Sequence, residues 1–234
     1  MKKLTRTLLV GVSALVALGT LSACSGGSSP EATSSSEPGT TTATASAFPQ
    51  SARFVADMKA ADGKTMTIGI SVDGTKVAAY ACNGTNDEAW FFGDQADGKI
   101  DLKSRFRDTL SAEFNGTDVA GDLTMDGVAY EFTAAPATGQ AGMYTAESDG
   151  VRASWVVRQD GSAIGVQFSA SSVGDITQAE IQQLEDAAFR SQVRNRRLIQ
   201  QADQITRLSN GAMSSKINGR DVTPTLVTGS FRLG

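Results

Sequence analysis

Between Arg53 and Ser172 apolar and polar positions alternate with a period of two. Met66, Ile68, Ile70 and Val72 are apolar, and Thr65, Thr67, Gly69 and Ser71 between them are polar or small. An extended chain here presents one apolar face and one solvated face. The alternation returns in Leu110, Ala112, Phe114; in Val119, Leu123, Met125; in Val128, Tyr130, Phe132; in Val151, Ala153, Trp155, Val157; and in Ile164, Val166, Phe168. Between the runs lie Asp62-Gly63, Asp73-Gly74, Asn83-Gly84, Asp97-Gly98, Asn115-Gly116, Asp126-Gly127, Asp149-Gly150 and Asp160-Gly161, pairs that supply the positive φ a tight hairpin needs. The pattern predicts an antiparallel meander of roughly ten short strands. A long sheet with one apolar face must curl or fold over, and unbroken hairpins favour an up-and-down barrel, closed or half open, over residues 51–173. The fold class is therefore mainly β. The strands fall short of the roughly 9 to 11 residues that cross lipid, which argues against an outer-membrane barrel.

After Ser172 the period lengthens. Thr177 and Glu180 form a capping box flanked by Ile176 and Ile181, and the spacing predicts one long C-terminal α-helix within residues 174–211, running from about 178 to 209 and ending at Asn210-Gly211. Ile181, Leu184, Ala188, Leu198, Ala202 and Ile205 lie on one stripe, interrupted by Ser191 and Asn195, while Arg190, Arg194, Arg196 and Arg197 gather in its later turns. Such a helix either covers the open side of the sheet or, through Leu198 and Ile205, binds a partner helix or a second copy of the chain. A third use is contact of Arg194 and Arg197 with lipid headgroups. Residues 212–234 form a last hairpin or a loose tail.

The N-terminal fifth has neither period. Lys2, Lys3 and Arg6 precede the apolar stretch Leu8–Leu18, too short for an ordinary spanning helix of about 20 residues, and Leu21-Ser22-Ala23-Cys24 follows. This order matches a bacterial lipoprotein signal over residues 1–23, with cleavage before Cys24 and acylation of its thiol. Two or more acyl chains, at about 0.8 kcal/mol per buried methylene, give stable attachment to the outer face of the plasma membrane. Residues 24–50 are rich in Ser, Thr and Pro and cannot bury enough surface to order themselves. They read as a tether with an end-to-end distance of about 25 to 30 Å, and their composition also suits O-glycosylation.

Cleavage would remove Lys2, Lys3 and Arg6 and no acid, taking 21 basic residues to 18 against 25 acidic ones. An acidic body disfavours nucleic acid, which requires a basic footprint. The sequence contains no histidine, so every His-dependent triad and the commonest metal ligand are missing. Cys82 has no disulfide partner once Cys24 is acylated and reads as a small buried residue. Glu113, Asp122 and Glu131 fall on the outer face of three successive strands, where a carboxylate pair for glycoside chemistry and an ordinary solvated face are both conceivable. Asn83-Gly84-Thr85 and Asn115-Gly116-Thr117 match the glycosylation pattern, although the Asn-Gly turn explains both. Asp94, Asp97 and Asp101 lack calcium-loop spacing. No cofactor or metal site is read from the chain.

In a strand, Trp90 and Phe92 share one face and Phe91 takes the other. Either the strand is covered on both sides, or an aromatic lies exposed beside Trp155 or Tyr144 as a binding surface. Taken in order, Ala79-Tyr80-Ala81-Cys82-Asn83-Gly84, Glu88-Ala89-Trp90-Phe91-Phe92-Gly93 and Trp155-Val156-Val157 before Asp160-Gly161 resemble a group of uncharacterised exported actinobacterial lipoproteins over Lys64–Ser169. The resemblance implies a repeated Asp-Gly meander and brings no activity with it. Two functions follow: a non-enzymatic, lipid-anchored envelope protein acting through protein contacts, or a carrier of a small apolar ligand within the barrel. The bulk of the inward Ile, Met, Phe, Trp and Leu side chains favours the first.

Overall fold

The computed structural model describes residues 46–169, 182, 183, 186 and 196–233. Eight strands, β1 Ser51–Lys59, β2 Thr65–Asp73, β3 Lys76–Cys82, β4 Glu88–Ala96, β5 Lys99–Lys103, β6 Thr109–Phe114, β7 Val119–Met125 and β8 Val128–Pro136, pair in sequence order as a closed antiparallel barrel. Closure is made by a short β1–β8 pairing, Phe54 opposite Pro136 and Val55 opposite Ala135. The turns do what their residues predict: Asp126 and Gly127 take φ of 50° and 76°, the double positive that matches the twist of a two-residue hairpin.

The inward set is the alternating set read from the sequence. Ile68, Val77, Phe91, Ile100 and Leu123 expose none of their surface, so no space wide enough for a water adjoins them and side chains fill the lumen. Phe48 seals one end, stacked on Phe114 at 4.9 Å and edge-on to Phe54 at 6.0 Å, while Ser46 N donates to Phe114 O at 2.7 Å. The outer face of β5–β8 carries Lys99, Asp101, Glu113, Asp122 and Glu131, all exposed, the reverse of a lipid-facing wall.

The barrel is complete at Pro136, and the meander then leaves it. β9 Gly142–Ser148, β10 Val151–Val157 and β11 Ala163–Ser169 form a second sheet that is extended by β12 Ile199–Gln201 beyond β11 and by β16 Thr225–Leu226 beyond β9. A third, small sheet consists of β13 Thr206–Arg207, β14 Met213–Ile217 and β15 Arg220–Val222. One face of the second sheet packs through Met143, Val156 and Val166 onto Ala78, Tyr80, Cys82 and Trp90 of the barrel exterior. Its other face packs Tyr144, Val151, Ala153 and Trp155 against Ile205, Met213 and Ile217. Strand β3 is accordingly buried on both sides, which is why Val77–Cys82 reads as an unbroken apolar run. The sheets approach closely at Gly69, where a Cβ would lie 2.4 Å from Met143 Cγ. Arg158 ties them further, donating to both oxygens of Asp57 at 2.7 and 2.8 Å and holding that carboxyl below its usual range.

The long C-terminal helix is not borne out. Arg196–Leu198 is a single 3-10 turn, Ile199–Gln201 is a strand pairing with Val166–Phe168, and Thr206–Arg207 is a strand again. Earlier in the segment only Gln182, Gln183 and Asp186 are described, with helical backbone and exposed side chains, and the capping box and Arg194 lie outside the described residues. The correction has a tertiary cause. β11 offers an unpaired edge, and a chain that satisfies that edge while burying Leu198 and Ile205 gains more than local helix propensity supplies. Asn210-Gly211, expected as a helix cap, instead turns the β13–β14 hairpin, with Leu208 N bonded to Ala212 O. Residues 212–234 supply β14, β15 and β16, then a strap, 227–233, that crosses back onto the barrel. Ser71 Oγ donates to Val227 O at 2.9 Å beneath the strap, and a Cβ on Gly229 would strike Lys76 O at 2.4 Å.

Candidate functional site

The site grows from a seam in the barrel wall. β4 and β5 pair only through Gln95–Ala96 and Lys99–Ile100, so the strands part for the rest of their length. Gly93 leaves room for Leu102, whose Cδ2 would lie 2.4 Å from a Cβ there. Asn83 fixes the start of β4: its Oδ1 accepts backbone N–H bonds from Thr85, Asn86 and Asp87 at 2.9 to 3.0 Å. With that turn set, Glu88, Trp90 and Phe92 point outward, opposite Cys82, Tyr80 and Ala78 of β3.

The facing wall belongs to the second sheet. Arg152 of β10, Phe168 of β11 and Ile199 of β12 are cross-strand neighbours, and the Arg152 guanidinium stands 5.5 Å from the centre of the Phe168 ring. Arg152 Nη2 also pairs with Glu88 Oε1 across the gap. The strap closes the remaining side, with the Phe231 ring 5.4 Å from Trp90 and the Arg232 guanidinium 5.4 Å over Phe92. Leu233, Lys103 at the end of β5, and Arg105 and Phe106 of the β5–β6 loop complete a mostly apolar cavity of about 310 Å³.

Its electrostatics are uneven. Glu88 is 6 % exposed, and burial pushes its carboxyl up from the ordinary value against the pull of Arg152. Trp90 Nε1 and Arg152 Nε are buried without an acceptor among the described residues. Lys103 and Arg105 are exposed at the rim. The loop carrying them is built around Ser104, whose Oγ donates to Asp108 Oδ2 at 2.6 Å and accepts from Phe106 N and Asp108 N.

Of the residues the sequence singled out, Trp90 and Phe92 line this groove and Phe91 points into the barrel. Trp155 is not brought to them. It lies on the far face of the second sheet, with Nε1 donating to Asp203 O at 2.9 Å. Leu198 and Ile205 are 1 % and 6 % exposed, buried in the chain's own packing rather than presented as a stripe. Arg197 contributes backbone to the 3-10 turn, and Arg196 beside it bridges Asp87 at 2.5 Å and Asp126 at 2.8 Å. Cys24, with Leu21, Ser22 and Ala23, lies outside the described residues. Glu113, Asp122 and Glu131 do share a shallow outer depression, with Asp122 directly opposite Glu131 and Glu113 paired to Lys99 at 2.8 Å. Cys82 is fully buried, its thiol pushed up to about 12 by desolvation. Among the described residues no set of three or more His, Cys, Asp or Glu is grouped as metal ligands.

The sequence reading missed Arg152, Phe168, Lys103, Arg105 and Leu233 as neighbours of Trp90. One signal was present: Lys103-Ser104-Arg105-Phe106-Arg107 concentrates three cations around an aromatic in an acidic chain. No family model, no curated protein and no solved structure matches this chain.

Proposed function

We propose that this is a non-enzymatic, lipid-anchored protein of the cell envelope that works by binding a small ligand in the groove between β4 and the second sheet. The observation that carries this is the groove itself: a concave, largely apolar cavity of about 310 Å³ with a few placed polar groups, near the lower end of the range for small-molecule sites. Between contact with envelope proteins and carriage of an apolar ligand, the geometry favours carriage, moved from the lumen to the outer wall. The lumen is full of side chains, and the Leu198 and Ile205 positions that would have served a partner helix are buried internally. Export and anchoring rest on Lys2, Lys3, Arg6, the apolar stretch and Leu21-Ser22-Ala23-Cys24, with support from the likeness to exported actinobacterial lipoproteins.

Native mass spectrometry of the full-length protein extracted from its host membrane tests both parts. The expected spectrum shows an acylated chain carrying one small-molecule adduct in near-stoichiometric amount. Cys24→Ala removes the acyl mass. A chain with neither acyl mass nor adduct overturns the proposal.

A further inference from the structure

We propose that the strap, 227–233, is the groove's gate: an uncharged apolar ring enters by taking the places of Phe231 and Leu233, so that ligand binding and release of the strap's end are one event. This rests on the small-ligand reading above and adds how the site opens and what kind of molecule opens it.

Three observations carry it. First, the strap is held unevenly. Its start is built into the fold: Val227 is 1 % exposed, its N–H donates to Met143 O at 2.9 Å, its carbonyl accepts from Ser71 Oγ, and Gly229 sits so close that a Cβ would lie 2.4 Å from Lys76 O. Beyond Gly229 the polar ties to the barrel are exposed ones, Ser230 Oγ to Asp73 Oδ2 at 3.2 Å and Arg232 Nη2 to Gly93 O at 3.5 Å. The other Arg232 bonds return to Gly229 O and Phe231 O, and Phe231 N donates to Thr228 O at 3.1 Å, all within the strap. Among the described residues the end is therefore held mainly by ring contact, and local opening is easiest where few buried contacts and exposed hydrogen bonds resist it. Second, the end covers the apolar part of the groove. Phe231 lies 5.4 Å from Trp90 and 6.2 Å from Phe92, Leu233 lines the cavity beside them, and both strap residues are only half-buried. Trp90 and Phe92 stack at 5.6 Å, so lifting Phe231 uncovers an aromatic shelf beside the existing cavity of about 310 Å³. An incoming aromatic ring restores the ring contacts that Phe231 gives up. Third, the closed groove leaves Trp90 Nε1 buried with no acceptor among the described residues, so the closed state gives up part of what burial gains.

The test uses the full-length protein in phosphatidylcholine vesicles and one probe, 3-phenyl-3-trifluoromethyldiazirine, an uncharged ring close in size to the Phe231 side chain. Photolabelled tryptic peptides are mapped by mass spectrometry, and in the dark the same probe is present during amide hydrogen exchange read residue by residue. Phe231→Ala combined with Leu233→Ala is expected to raise labelling of the peptide Val77–Lys99, which carries Trp90, about tenfold, as for a site that the seated strap leaves open about a tenth of the time. In the unmutated chain the probe is expected to speed exchange of the Phe231 amide about fivefold and to leave that of Val227, bonded to Met143 O, unchanged. Exchange at Phe231 that the probe leaves unmoved overturns the gate even if the double variant is unstable, and labelling of Val77–Lys99 in the unmutated chain then keeps the small-ligand site standing. No enrichment of that peptide over the rest of the surface in either chain overturns both.

Discussion

Arg152 and Glu88 show how much one buried pair holds. The Glu88 carboxyl has almost no water, and its folded-state pKa is raised by burial even with the guanidinium beside it. Arg152→Gln removes the cation paired with that buried carboxylate and is expected to lower stability by roughly 3 to 5 kcal/mol at neutral pH. A raised pKa contributes stability at low pH that is lost as pH rises, so the deficit should shrink on acidification, and Glu88→Gln in the same chain should recover most of it. Urea titrations from pH 4.5 to 7.5 check this; a pH-independent deficit refutes it. Cys82 follows the same sign. Its thiol sits at about 12 in the folded protein against an ordinary 9.0, so the associated stability is intact below pH 9 and is lost as pH climbs toward 12. Iodoacetamide at pH 8 is expected to leave the Cys82 peptide unmodified until denaturant is added, and Cys82→Ala should flatten the alkaline fall in stability.

At the scale of elements, local preference and tertiary demand pull apart most clearly at Gly69 and at residues 196–209. Gly69 is a poor strand residue, and β-branched valine would favour the isolated strand by up to about 1 kcal/mol. In the folded protein a side chain there enters Met143 and Val156 of the second sheet, at 2.4 and 3.6 Å from the first carbon alone. Overpacking costs about 1 to 3 kcal/mol and should win, so Gly69→Val is expected to lower the urea midpoint. Gly69→Ala should fall less, because the Met143 side chain can shift. For residues 196–209 the three- and four-residue spacing of Leu198, Ala202 and Ile205 is real, but it arises from a 3-10 turn that buries Leu198 and from the stretch beyond the edge strand, where Ala202 is half-buried and Ile205 buried. A helical stripe and an irregular segment with the same burial are indistinguishable in one dimension.

For the molecule as a whole, the arrangement of sheets decides where binding can occur. An eight-stranded barrel has an interior just wide enough either to fill or to hold one small ligand, and here bulky inward residues fill it. The second sheet then covers β1 to β4, and the seam where β4 leaves β5 becomes a groove because Arg152, Phe168 and the strap stand over it without filling it. Three segments far apart in sequence, Glu88–Arg105, Arg152–Phe168 and Ile199–Leu233, meet there.

The alternation of apolar positions and the Asp-Gly turns determined the barrel strands, the inward set and the faces of Trp90, Phe91 and Phe92, because strand pleat and hairpin φ are local properties carried by neighbouring residues. Closure at Pro136, the departure of β9 to β11, the strand at Ile199 and the meeting of Glu88 with Arg152 were decided only in three dimensions. Each depends on which distant edge or face a segment finds, and the free energy of that choice comes from burial and pairing that local spacing does not encode.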